Sequence, residues 1–273
     1  MIFSKKIANT IYIVLFFTYI LGEYLITLSK NIDEEKNYSS KEMLKEIKKI
    51  EPNQNYLYLI DEKRKIKENL ITKHFDSYYK DYIHYVSFKD SKNSKDIKNE
   101  VALGIDKKFH LTNYFLEGYA PFKTDKLWIP LQSIARQKTY LLDDAQYLGY
   151  KEVWQTSSQA FKFPSGDCED HAIALADWLI EMGEDARVVI GKYNRNGHAW
   201  VVLFKDNQQF ILESTQKRNL LQPYRLAKYQ TSYKPEAMFN RENFWFNNGS
   251  INTTNYNSKN WSKKSIYIKK TQS

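Results

Sequence analysis

From Cys168, the residues Ala172, Leu175, Ala176, Leu179 and Met182 recur at helical spacing, and Gly183 follows them. That is one continuous apolar face of an amphipathic helix, ended by a residue suited to a left-handed C-terminal position. Three short runs rich in β-formers come next, over 186–191, 198–204 and 209–213. Asn196-Gly197 and Asp206-Asn207 are tight-turn signals between them. A helix that must bury one face, followed by strands whose connections are too short for crossovers, has few solutions. It packs on an antiparallel sheet, an α+β arrangement.

The start of that helix carries chemistry. Asp167 reads as its N-cap, with Asp170 in a capping-box-like relation. Cys168 is the one cysteine among 273 residues. It falls in the first turn, where exposed N–H groups and the helix dipole favour a thiolate. Asp167, Glu169 and Asp170 oppose that ionisation, and a histidine cation or a bound cation would restore the balance.

A two-residue turn at Asp206-Asn207 pairs Lys205 with Gln208 and sets Trp200 opposite Glu213. His198, Trp200, Val202, Ile211 and Glu213 then share one face of the hairpin. His198 and Glu213 become diagonal neighbours, about 7–8 Å apart at the backbone and within reach of each other's side chains. A thiol, an imidazole and a carboxylate so arranged form a nucleophilic triad. Cys168 attacks, His198 moves the proton, and Glu213 fixes the imidazole tautomer. The Cys168 backbone N–H is a natural oxyanion donor, and the Gln155 side chain or the Trp154 indole N–H is the expected second one. His171, three residues along the helix, is a rival base. It lacks a strand-borne carboxylate and reads as a surface residue or a support behind the site. One cysteine with His171 at this spacing matches no common zinc pattern.

The rest of the chain divides by composition. Ile11 to Leu28 is nearly all apolar after Lys5 and Lys6. Its 18 residues would span about 27 Å as a helix, enough for a membrane core. The preceding positive charge favours a cytoplasmic N-terminus, leaving the remainder on the extracytoplasmic, periplasmic side. A cleaved signal peptide is the alternative, but no small-x-small site follows. An exported chain normally pairs its cysteines, so a lone one is either inert or a reactive thiol. The expected organisation is an anchor over 1–30, a region of unassigned α/β character over 31–125, a catalytic domain over 126–246 and a polar, mobile tail over 247–273. Tyr56–Ile60 and Tyr78–Phe88 read as strands and Asp90–Glu100 as a loop. Lys126–Tyr150 reads as mainly helical, with a break near Lys138. After Pro223 the chain reads as aromatic and irregular. The net charge of +9 is scattered lysine among acids, with no recognition motif, so no nucleic-acid partner is expected.

Trp154-Gln155-Thr156, Gly166-Asp167-Cys168-Glu169-Asp170, Ala186-Arg187-Val188-Val189 and Gly197-His198-Ala199-Trp200-Val201 occur in the order seen in one family. Over about 154–215, the chain resembles the bacterial transglutaminase-like cysteine enzyme superfamily. The resemblance implies a papain-like α+β core in which the nucleophile helix packs on an antiparallel sheet. Cys168, His198 and Glu213 would be nucleophile, base and acid. The family usually has Asp where this chain has Glu213. A subgroup comprises periplasmic, calcium-dependent proteases of surface adhesins. By that resemblance Asp167 and Glu169, followed by Asp170, would hold Ca²⁺, and no other cofactor is required. The implied activity is a membrane-anchored cysteine hydrolase acting on a protein or peptide. A glutamine-to-amine transferase and a non-catalytic binding module on the same fold are the alternatives.

Overall fold

The computed structural model describes residues 54–89, 95–217 and 224–270. In chain order its elements begin with β1 (Tyr56–Leu59), β2 (Arg64–Lys67), α1 (Glu68–His74), β3 (His84–Lys89), β4 (Lys95–Leu103) and β5 (Phe109–Leu111). There follow α2 (Trp128–Gln137), β6 (Thr139–Tyr140), α3 (Asp143–Gln146), α4 (Ser157–Lys162), β7 (Ser165–Gly166) and α5 (Cys168–Glu181). The remainder is β8 (Asp185–Tyr193), β9 (Asn196–Lys205), β10 (Gln208–Leu212), β11 (Arg225–Leu226), β12 (Tyr233–Phe239), β13 (Asn243–Asn247) and β14 (Trp261–Ile268). A nine-stranded sheet runs in the order β11-β10-β9-β8-β12-β13-β14-β1-β2, and β3-β4-β5 form a separate sheet.

Strand alternation gives the large sheet two buried faces. One takes α5: Ala172, Leu175, Ala176 and Leu179 pack with Val188, Ala199, Val201 and Leu203. Cutting Leu175 to Ala in such a core costs about 2–5 kcal/mol. On the other face Val189, Trp200, Val202, Ile211, Tyr233 and Met238 form a second cluster, joined by Tyr256 and Trp261. The α+β core of one long helix on an antiparallel sheet is thus present, with Gly183 at φ 87° just past the helix end.

The β9–β10 hairpin has the anticipated register, Lys205 opposite Gln208 through Val201 opposite Leu212. Asp206 and Asn207 both have positive φ, 51° and 57°, which is the two-residue turn that suits strand twist. The β8–β9 turn differs. Tyr193 pairs with Asn196, so the turn is Asn194-Arg195, with Asn194 at φ 56° in the position expected of the Asn196-Gly197 pair.

Several expectations are corrected. The segment 247–273 is not a free tail, because β14 pairs with both β13 and β1 inside the main sheet. Its Asn/Ser-rich approach fixes itself through local side-chain turns, as where Asn255 accepts from the Asn257 N–H. The boundary at 125/126 falls within one compact unit, 52–273, since β1 and β2 complete the sheet begun by β8 to β14. Lys95–Glu100 is strand rather than loop. Its polar residues turn inward to partners on other segments: Asn99 donates to Asn113 and Ser265, and Lys98 pairs with Asp61 as well as with its strand neighbour Asp96. The strand expected over 78–88 begins only at His84, and β12 and β13 replace the irregular chain after Pro223. The anchor over 1–30 lies outside the described residues. Among those described, no helix is long and apolar enough to cross a membrane.

Candidate active site

Helix α5 delivers Cys168 to the sheet. Asp167 stands at the N-cap with extended backbone, but its side chain makes no capping bond, so the capping box is not formed. The acids at this helix start face one another instead. The thiol lies 3.4 Å from Glu169 Oε2 and receives the backbone N–H of Ala199, the residue after His198 on β9. Desolvation pushes the thiol well up, and the charges of Asp167 and Glu152 add to it, against the Ala199 N–H.

His198 and Glu213 meet as the hairpin register requires, Nε2 to Oε2 at 2.8 Å. Glu213 is nearly buried, and burial alone would raise its pKa. The His198 contact and the two Thr215 donors outweigh that and hold it below its usual value. Oε1 accepts from the Thr215 N–H at 3.1 Å and from Thr215 Oγ1 at 2.6 Å. Oε2 also accepts from the Tyr233 hydroxyl at 3.1 Å. A carboxylate so satisfied stays ionised and accepts a hydrogen bond from the Nε2–H, leaving Nδ1 as the nitrogen with the free lone pair. Glu in place of Asp is accommodated because both its oxygens are anchored.

The acids beside the thiol are in the opposite condition. Asp143, Asp167, Glu169 and Asp170 are all buried, and one carboxylate oxygen from each lies within 4.8 Å of the others. Asp143 Oδ1, Asp167 Oδ1, Glu169 Oε1 and Asp170 Oδ2 have no hydrogen-bond partner among the described residues. Burial, then the charge of Asp167, raises Asp143 to about 8 and lifts Glu169 and Asp170 well above the usual range. Asp167 is raised by burial too. Glu152, bonded to the Trp154 indole N–H at 2.6 Å, is raised by burial to about 7.

Among the described residues, one buried lysine faces this cluster. Lys138 is buried, and its Nζ donates to Gln155 Oε1 and to the carbonyls of Ala160 and Ser165 at 2.8–2.9 Å. Burial lowers its pKa, while Asp170, Asp167, Glu169 and Asp143 support its charge. A Cβ on Gly166 would collide with both Asp170 Oδ2 and Lys138 Nζ, so a larger residue there would push the carboxylate or the ammonium aside. Four carboxylates with orphaned oxygens against one lysine are a donor set suited to a hard, oxygen-seeking divalent cation. Asp167, Glu169 and Asp170 are therefore joined by Asp143, which carries no local mark of this role because it lies 24 residues before Asp167 on another helix.

The other expected donors point elsewhere. Both side-chain N–H groups of Gln155 are used, on the Tyr147 hydroxyl and the Ser165 carbonyl. The Trp154 indole serves Glu152. Neither is free to hold an oxyanion, which leaves the Cys168 N–H of the original set. His171 is buried rather than on the surface. Its Nδ1 donates to the Asp167 carbonyl at 2.6 Å, and burial lowers its pKa to about 4, so it braces the helix start and does not serve the thiol. Tyr140, half-exposed on β6, has its hydroxyl pKa raised by burial and then by the charge of Cys168, which sets it at the rim of this site.

Residues 152–267 match the family model of the CEP76 peptidase-like domain. The matched stretch contains all four motifs from which the resemblance was drawn. The human protein CC2D2B is 26% identical over 105 residues, which are 37% of this chain. The chain spans 7% of that protein's length. Among solved structures, calcium-bound LapG of Legionella pneumophila is similar at 18% identity over 50% of this chain and 76% of that one, with a TM-score of 0.38. EGTA-treated LapG aligns at 18% identity over 49% of this chain and 72% of that one, with a TM-score of 0.37.

Proposed function

We propose that this chain is a cysteine hydrolase of polypeptides that works through a thioester. The observation that carries the reading is the His198–Glu213 pair at 2.8 Å, beside a thiol held against the next residue of the same strand. His198 Nδ1 takes the Cys168 proton, and the sulfur attacks the scissile carbonyl carbon. The oxygen of the resulting tetrahedral adduct is met by the Cys168 N–H. The imidazolium gives its proton to the leaving amine, and the C–N bond breaks to leave a thioester. Water, deprotonated by the same nitrogen, attacks the thioester; the C–S bond breaks and the thiol is restored. Glu213 stabilises the imidazolium at both stages, and Tyr233 and Thr215 keep that carboxylate in place.

Asp143, Asp167, Glu169 and Asp170 would hold a divalent cation such as calcium. When bound, that cation supplies positive charge close to a thiol that its acids otherwise keep protonated. We further propose that Ile11–Leu28 anchors the enzyme and that residues after it lie on the extracytoplasmic side, where an unpaired cysteine is unusual unless it reacts. The test is N-terminal peptide mapping of envelope proteins from wild-type and Cys168→Ala cells. New N-termini present only in the wild type support the proposal, and identical maps overturn it.

A further inference from the structure

Tyr140 stands beside the thiol without a part in the mechanism above. On β6 it lies opposite Gly166 of β7, two residues before Cys168, and paired strands run about 5 Å apart. The Thr139 N–H donates to the Pro164 carbonyl at 2.7 Å and the Leu141 N–H to the Gly166 carbonyl at 3.1 Å. Both bonds fasten β6 to the segment that leads into the nucleophile, so its side chains keep fixed positions relative to Cys168. The Tyr140 ring is 6.1 Å from the ring of His171, which bonds to the Asp167 carbonyl in the first turn of α5. Burial raises the hydroxyl pKa, and the charges of Cys168, Asp167, Glu169 and Glu213 add to it in that order. The side chain therefore looks into the space between the helix start and the β9–β10 hairpin, where a scissile carbonyl has to sit.

Leu142 extends this surface. It follows two residues on, still extended at φ −65° and ψ 148°, and strand alternation sets it on the Tyr140 side, about 7 Å further along. Tyr140 is 45% exposed and Leu142 55%. Single exposed hydrophobes are ordinary, but two that adjoin each other and a reactive centre mark a place for a ligand. We propose that Tyr140 and Leu142 form an apolar ledge that selects the substrate polypeptide by an apolar side chain within two residues of the scissile bond. This rests on the cysteine-hydrolase reading above. The occupant is the substrate because the ledge adjoins the attacking sulfur, and two residues of extended chain reach about 7 Å, enough to lie on the ledge with a carbonyl at Cys168. Covering about 60 Å² of apolar surface corresponds to roughly a tenfold preference. The ring supplies that surface and the hydroxyl does not, so phenylalanine serves equally at position 140.

The probe is a library of peptides from a digested proteome, incubated with the full-length protein in calcium. Mass spectrometry reads the cuts that are absent with Cys168→Ala. Apolar residues should be enriched about tenfold at one position within two residues of the cut. Tyr140→Ala and Leu142→Ser should each reduce that enrichment at least about threefold, and should raise KM for the best apolar peptide rather than lower kcat. Tyr140→Phe should keep the enrichment. Because both positions are half-exposed, the variants should unfold at the wild-type temperature. Cuts with no apolar preference, or a preference that neither substitution moves, overturn the ledge and leave the hydrolase reading standing. So does a loss in Tyr140→Phe equal to that in Tyr140→Ala, which would make the hydroxyl the working group. If the wild type makes no cut that depends on Cys168, the hydrolase reading fails and the ledge fails with it.

Discussion

Helix α5 carries buried acids at two places, and they live under opposite regimes. Asp177, in its third turn, is fully buried and fully served. Its Oδ2 accepts from the Gly118 and Tyr119 N–H groups and from Ser157 Oγ, and its Oδ1 from Arg241 Nε. Arg241 also reaches the Asp177 carbonyl and Glu181. At the helix start, Asp167, Glu169 and Asp170, with Asp143 from α3, each leave an oxygen without a partner among the described residues. The same residue type in the same helix is thus structural where donors surround it. Where donors are withheld beside a thiol, it is a place for charge to arrive. The first kind holds the fold, and the second weakens it unless something binds.

Removing Asp177 should do the most damage. Asp177→Ala strands Arg241 and three other donors, and should cost about 3 kcal/mol or more in denaturant unfolding. An unchanged midpoint would dissolve the contrast.

Calcium should act on the other end alone. At a hundredfold excess over its dissociation constant it should add about 2.7 kcal/mol, or roughly 5–10 °C in thermal unfolding. The acids give this a pH signature. Asp143, raised to about 8 when folded, favours folding fully only below its unfolded pKa, and that contribution is lost as pH rises through about 8. In chelator the protein should therefore lose on the order of 2 kcal/mol between pH 5 and pH 8. Saturating calcium should flatten the decline.

The smallest effect has the most telling sign. Asp170→Asn keeps an oxygen for the Gln155 N–H while removing a buried charge. In chelator it should leave stability unchanged or raise it by up to about 1 kcal/mol, and it should abolish the gain from calcium. A loss comparable to that of Asp177→Ala would mean that the two acid sites are alike.

Legibility in the sequence followed locality. The α5 face and the β9–β10 register could be read because helix periodicity and a two-residue turn are set by neighbours. From that register alone His198 and Glu213 were expected to meet, and they do at 2.8 Å. Lys138, Asp143 and Tyr233 could not be read. Each joins the site through tertiary packing from a separate element, and a lysine or tyrosine in a polar stretch carries no local mark of burial. The strands β4 and β14 were hidden for the same reason. Their polar residues look solvated until Asn99, Lys98 and Ser265 are seen satisfying one another across the fold. Gln155 and Trp154 mislead because spacing gives proximity without saying which partner a donor chooses.

The central claim is that Cys168 is a nucleophile whose reactivity is governed by His198 and by charge delivered to the adjoining acids. Its most direct test is the rate of iodoacetamide labelling of Cys168 at pH 7, followed by intact mass, in calcium and in chelator. The account predicts labelling at least about tenfold faster in calcium, with that acceleration lost in His198→Ala and in Asp170→Asn. Equal rates in calcium and chelator, unaffected by either substitution, would contradict it.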